Sequence, residues 1–127
     1  MTAFRLARLD HVSLNVSDRE RSIAWYRDVL GLEQKNRPRH DDWPVFMGEL
    51  GAALGLFQAH AGGDELDPSE PGLRHVAFAL GRESFERARA HLAEKGVGAC
   101  FEDHGSSRSL YFSDPDGNVI ELTTSER

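Results

Sequence analysis

The sequence contains one cysteine, Cys100, and no apolar run near the roughly 18–20 residues of a membrane span. A lone cysteine excludes an internal disulfide and a zinc site built on cysteines. The first eight residues, Met1 to Arg8, lack the apolar core of a signal peptide. Basic side chains are the minority, 15 Lys and Arg against 21 Asp and Glu, for a net charge of −6. That balance argues against a nucleic-acid partner, whose phosphates call for a basic patch. With five prolines and 39% apolar residues, the composition is neither collagenous nor disordered. The expectation is therefore a soluble, cytoplasmic single domain over residues 1–127, without a membrane partner and able to bury a core unaided. Histidine, with six copies, is the count that invites a function.

The chain repeats itself. Leu9-Asp10-His11-Val12-Ser13-Leu14-Asn15-Val16 resembles Leu73-Arg74-His75-Val76-Ala77-Phe78-Ala79-Leu80. Each octet alternates as a strand does and is followed by a helical pattern. Ser17-Asp18-Arg19-Glu20 reads as a capping box, with Ser17 as the cap and Gly31 as the stop. Phe85, Ala88 and Leu92 share the face of a second helix that stops at Gly96. Ser109–Phe112, the turn at Asp114-Pro115-Asp116-Gly117-Asn118 and Val119–Thr123 form a hairpin. Val45–Met47, a turn near Gly51 and Ala53–Phe57 are its weaker counterpart, and aligning Phe46 with Phe112 places Gly55 on Glu121. The fold class is α+β: two βαβββ modules, about 8–60 and 73–124, joined by an acidic, Gly- and Pro-rich linker at 61–72.

Strand alternation assigns faces. Val12, Leu14 and Val16 lie on one side of the first octet, and His11, Ser13 and Asn15 on the other. His75, Ala77 and Ala79 take the matching side of the second, and Glu121 sits opposite Ile120 and Leu122. A sheet curved around the polar side gathers His11, His75 and Glu121 into one cavity. Two imidazoles and a carboxylate leave about three positions open on a six-coordinate ion, which suits Fe(II) or Mn(II) with a chelating substrate; zinc accepts the same set.

Four segments carry a resemblance: Leu9-Asp10-His11-Val12; Trp25-Tyr26 with Val29-Leu30-Gly31-Leu32; Leu73-Arg74-His75-Val76; and Tyr111-Phe112-x-Asp114-Pro115-Asp116-Gly117-Asn118-x-Ile120-Glu121-Leu122. On these the chain is identified as a member of the vicinal-oxygen-chelate superfamily. That superfamily includes glyoxalase I, fosfomycin-resistance transferases, bleomycin-resistance proteins and extradiol dioxygenases. The resemblance implies a cup-shaped open sheet around a divalent metal held by His11, His75 and Glu121, with Fe(II) first and Mn(II), Ni(II) or Zn(II) as alternatives. It also implies a small-molecule substrate and a homodimer, in which the site closes within one chain or across swapped modules. The family's fourth metal position falls on Gly55, which counts against glyoxalase I. Gln58, three residues on, has the wrong parity to replace it.

His104, followed by Leu110-Tyr111, Asp114-Pro115, Gly117 and Glu121, further resembles the extradiol dioxygenase signature, with Glu102 standing where a small or β-branched residue is usual. In that family the matching histidine acts in acid–base chemistry beside the substrate, and the matching tyrosine bonds at the metal site. His104 and Tyr111 thus become the catalytic candidates, and Arg108, Trp43 and Phe57 the substrate-binding ones. The implied reaction is extradiol cleavage of a catechol-like substrate. The alternatives are a fosfomycin-resistance-like thiol transferase or glyoxalase-like lyase, and a metal-free binding protein of the bleomycin-resistance kind. His40, His60 and His91 are assigned no role, and Cys100 is read as a buried small hydrophobe.

Overall fold

The computed structural model describes residues 3–49, 51–60 and 71–126; residues 1–2, 50 and 127, and 61–70 of the expected linker, lie outside them. The elements run β1 (Val12–Val16), α1 (Arg19–Leu30), β2 (Val45–Met47), β3 (Leu54–Gln58), β4 (Val76–Ala79), α2 (Arg82–Glu94), β5 (Cys100–Asp103), β6 (Arg108–Ser113) and β7 (Val119–Thr124). They form a three-stranded sheet, β1-β3-β2, and a four-stranded sheet, β4-β7-β6-β5. In each sheet the first strand runs parallel to the last, and the hairpin strands are antiparallel.

The second module is a full βαβββ unit. In the first, the strand expected after α1 shrinks to one bridge, Gln34 to Met47. Pro38 and Pro44 carry no N–H for a ladder. Asn36 substitutes for the missing ladder: its Oδ1 accepts from Phe46 N at 2.7 Å and its Nδ2 donates to the Pro44 carbonyl at 3.1 Å.

Helix α1 starts one residue later than the capping box suggests. Asp18, not Ser17, is the cap, accepting from Arg21 N at 3.1 Å. Ser17 turns instead to Asp116 in the other module, donating both N–H and Oγ–H to Oδ1. Gly31, at φ 69°, ends the helix in the left-handed conformation that a glycine adopts without a Cβ clash.

Leu14, Val16, Leu54 and Leu56 pack with Ile23, Tyr26 and Val29 of α1; Val76, Leu110, Phe112, Ile120 and Leu122 share the same core with Phe85 and Leu92 of α2. Burying a side chain of this size stabilises by about 1.5–3 kcal/mol, so these stripes settle which sheet face meets a helix. The modules are joined by Tyr26 Oη donating to Asp114 Oδ2 at 2.6 Å, by Trp25 near Phe112, by Ser17 on Asp116, and by His91 Nε2 against the Asp28 carbonyl at 3.0 Å. No helix among the described residues is long and apolar enough to cross a membrane.

Candidate functional site

With Ile120 and Leu122 in the core, Glu121 faces away from α2. Cross-strand register then defines two rows on that face. Ala77, Glu121, Tyr111 and Cys100 form one; Ala79, Thr123, Ser109 and Glu102 form the next. His75 stands one residue before β4 at the rim of this face.

Glu121 is 9% exposed, and a carboxylate so buried requires donors. His75 Nε2 lies 3.1 Å from Oε1, and Ser109 Oγ donates to Oε2 at 2.7 Å. Tyr111 stands beside the same carboxylate. Desolvation first, then Glu121, hold its phenol above the ordinary tyrosine range. Tyr111 Oη meets His104 Nε2 at 3.2 Å, and Glu102 Oε2 lies 3.6 Å from the same nitrogen. The Tyr111 ring is edge-on to both His75 and His104, at 6.0 and 6.2 Å. His75, Glu121, Tyr111 and His104 are thus one continuous run of contacts.

The first module repeats the arrangement with different chemistry. His11 is edge-on to Phe46 at 5.1 Å, and its Nδ1 lies 2.8 Å from Asp10 Oδ2. Ser13 pairs with Gly55 as Ala77 pairs with Glu121, so Gly55 does occupy the position of Glu121. The hairpin partner of Gly55 is Phe46, as that of Glu121 is Tyr111. Phe46 therefore matches Tyr111, not Phe112, because the first hairpin is one residue shorter. A Cβ at Gly55 would stand 2.9 Å from Ser13 Oγ and 3.3 Å from Phe46 Cε1, so this position offers no ligand and little room for one. Gln58 is turned away, donating to Ser17 O and accepting from Arg19 N at the start of α1.

The structure brings His75 and Glu121 together, with Tyr111 and His104, but not His11. Among the described residues no group of three His, Cys, Asp or Glu is placed to hold a metal. His11 lies on the sheet of the other module.

Arg108 is not on the Glu121 face. It shares parity with Leu110 and Phe112, so it stacks on Phe85 of α2 at 5.1 Å and pairs with Glu86 at 2.9 Å. Phe57 is half-buried one row beyond Gly55, on the His11 side. Trp43 is 49% exposed, in a loop whose Asp41 and Trp43 carbonyls accept from the buried Arg19. Cys100 is exposed, not buried: it lies on the edge strand in the row of Tyr111. Sequence reasoning missed Ser109, although its parity with Tyr111 on β6 places it on the face of Glu121.

Two open sheets, each with its first strand parallel to its last and a helix on one face, define the class of α+β protein to which the chain belongs. The chain matches the Glyoxalase/Bleomycin resistance protein/Dioxygenase superfamily over residues 8–122 and belongs to it. It is 31% identical over 117 residues to glutathione transferase FosA of Serratia marcescens, covering 92% of this chain and 80% of that protein. It is 30% identical over 116 residues to catechol-2,3-dioxygenase of Bacillus subtilis (strain 168), covering 90% of this chain but only 40% of the dioxygenase. Among solved structures, a glyoxylase/bleomycin resistance protein/dioxygenase domain from Frankia sp. EAN1pec superposes with TM-score 0.82 at 26% identity, covering 94% and 93% of the two chains. Lactoylglutathione lyase from Agrobacterium tumefaciens shares the fold, with TM-score 0.70 at 20% identity and 94% coverage of each chain. Members of the superfamily are mostly enzymes, including dioxygenases, transferases and lyases, and act on small molecules.

Proposed function

We propose that the chain is a divalent-metal-dependent enzyme acting on a small, chelating, oxygenated substrate, with extradiol cleavage of a catechol-like ring as the first reading. The observation that carries it is the 3.2 Å contact of His104 Nε2 with Tyr111 Oη, on the same face as the His75–Glu121 pair. The donor set fits a hard divalent ion: a buried carboxylate with one oxygen turned to an imidazole nitrogen. His75 and Glu121 supply two donors, and His11 of a second copy of this chain supplies the third. When bound, such an ion would orient the substrate oxygens and stabilise their charge. Tyr111, beside Glu121 and His104, would bond a substrate oxygen. His104 takes up and returns a proton through Nε2, the nitrogen that meets Tyr111 Oη.

A second reading, thiol transfer to a small oxygenated acceptor, is favoured by length: the chain spans 80% of glutathione transferase FosA and 40% of the catechol dioxygenase.

Metal analysis of anaerobically purified protein, with oxygen uptake on catechols, tests the proposal. The expectation is one Fe(II) per site and Fe(II)-dependent uptake. His75→Ala should abolish metal retention, and His104→Ala should keep the metal and slow turnover. Thiol consumption with Mn(II) or Ni(II) and no oxygen uptake would replace dioxygenation by transfer. Absence of any stoichiometric divalent ion would sink both and leave a metal-free binding protein.

A further inference from the structure

Ser109 is completely buried in β6, at 0% exposure, on the face of Glu121 and one row away from it. Its hydroxyl has one proton to give. A carboxylate accepts only, so that proton goes to Glu121 Oε2, at 2.7 Å. Ser109 Oγ is then left to accept, and Thr123 Oγ1 stands 3.0 Å away as the donor. The other acceptor near Thr123, the Arg108 carbonyl, is farther, at 3.4 Å. The three groups form a directed chain, Thr123 to Ser109 to Glu121.

The direction matters because the terminal torsion of a glutamate is broad and sets itself poorly. Bonding Oε2 fixes that torsion and leaves Oε1 facing His75 Nε2 at 3.1 Å. The hydroxyl also supplies a donor that the buried carboxylate requires, so the positioning role is tested by ligand geometry and metal affinity as well as by folding.

We infer that Ser109 is a positioning residue, seated by Thr123, which locks the Glu121 carboxylate so that Oε1 and His75 Nε2 stand ready as a pair for a divalent ion. The inference rests on the metal-site reading above and adds to it the residues that hold the ligand in place. Hydrogen-bonded partners of metal ligands typically govern affinity by about 10–100-fold.

The test is Mn(II) titration of the metal-free full-length chain, followed by electron paramagnetic resonance, with the visible spectrum of the Co(II)-loaded protein as a report on ligand geometry. Ser109→Ala should weaken Mn(II) binding by about 10–100-fold and shift the Co(II) bands. Ser109→Thr, which keeps the hydroxyl, should restore most of the affinity and the spectrum. Thr123→Val should show a smaller loss in the same direction. Wild-type Mn(II) affinity in folded Ser109→Ala overturns the positioning role while leaving the metal site standing. If Ser109→Ala does not fold, Thr123→Val decides: unchanged affinity there overturns the inference. A wild-type chain that binds no Mn(II), Fe(II) or Co(II) overturns the metal reading itself, and the role of Ser109 with it.

Discussion

Tyr26 and Asp114 join the two modules through a buried polar contact whose strength can be measured. Tyr26 is fully buried on α1, and its hydroxyl donates to Asp114 Oδ2 at 2.6 Å. Asp114 is already fixed. Its Oδ1 accepts from the backbone N–H groups of Asp116 and Asn118, both at 2.9 Å, and Oδ2 also accepts from Asn118 Nδ2. Tyr26 therefore docks on a rigid turn. Burial first, and then Asp114, push its pKa far above the ordinary tyrosine range. Tyr26→Phe keeps the ring against Trp25, at 4.9 Å, and removes only the hydroxyl. A hydrogen bond to a charged acceptor is worth about 1.5–3 kcal/mol, so the variant should lose about 2 kcal/mol at pH 7. The pH dependence follows from the raised pKa. In the unfolded chain the phenol ionises near about pH 10, while in the folded chain it keeps its proton well beyond that. Above pH 10 the folded state binds one proton more than the unfolded state, so wild-type stability falls by about 1.4 kcal/mol per pH unit relative to the variant. The deficit is present in full below pH 10 and should shrink to roughly 1 kcal/mol or less by pH 11. Urea unfolding of both proteins at pH 7, 9, 10 and 11 measures it. Equal stability at pH 7, or a deficit that stays constant to pH 11, would refute the reasoning.

Asn36→Ala removes the acceptor for Phe46 N, and leaving that part-buried donor unpaired should cost about 1–3 kcal/mol in urea unfolding; Asn36→Asp, which keeps an acceptor, should lose less. Gly55→Ala places a methyl 2.9 Å from Ser13 Oγ and should destabilise by about 1–3 kcal/mol through overpacking. Ser13→Ala in the same chain should recover much of that loss, and strict additivity in the double-mutant cycle would show that Ser13 is not the obstacle.

The repeated octets, the helix stripes and the Asp114–Asn118 turn were legible because each rests on a local period or a local backbone demand. Alternation alone placed Glu121 and His75 on their observed faces, whereas Gly55 was matched to Glu121 by aligning the hairpins on Phe46 and Phe112, an anchor one residue off. It also had the information to place Arg108 toward α2 and Ser109 beside Glu121; counting from Tyr111 by twos settles both. Other features were not local. Ser17 is a good cap in isolation, and it loses that position because Asp116, 99 residues away in the chain, takes its N–H and Oγ–H. The strand lost from the first module is replaced by a side chain, Asn36, that no strand pattern encodes. Cys100 reads as apolar by residue type, yet β5 is an edge strand with all four residues exposed. Whether His11 joins His75 and Glu121 depends on how the sheets meet, which alternation within a strand does not report.

The four matched positions explain why the halves differ in use. His11 and His75, Ser13 and Ala77, Phe46 and Tyr111, Gly55 and Glu121 hold corresponding places, yet only the second set adds a carboxylate and a phenol. The first set compensates at the histidine. Asp10 accepts only, so its contact with His11 Nδ1 at 2.8 Å assigns the ring proton to Nδ1 in neutral His11. Nε2 is left with its lone pair, and a carboxylate on the far nitrogen fixes the ring's tautomer and orientation. By the same argument the proton of neutral His75 lies on Nε2, facing Glu121 Oε1 on the site side, and would have to leave that nitrogen for it to ligate. On the proposed reading, one module offers a histidine prepared by an outer carboxylate, and the other offers a histidine and a carboxylate prepared by Ser109. Each alone is short of three donors, and the two sets are complementary in what they lack.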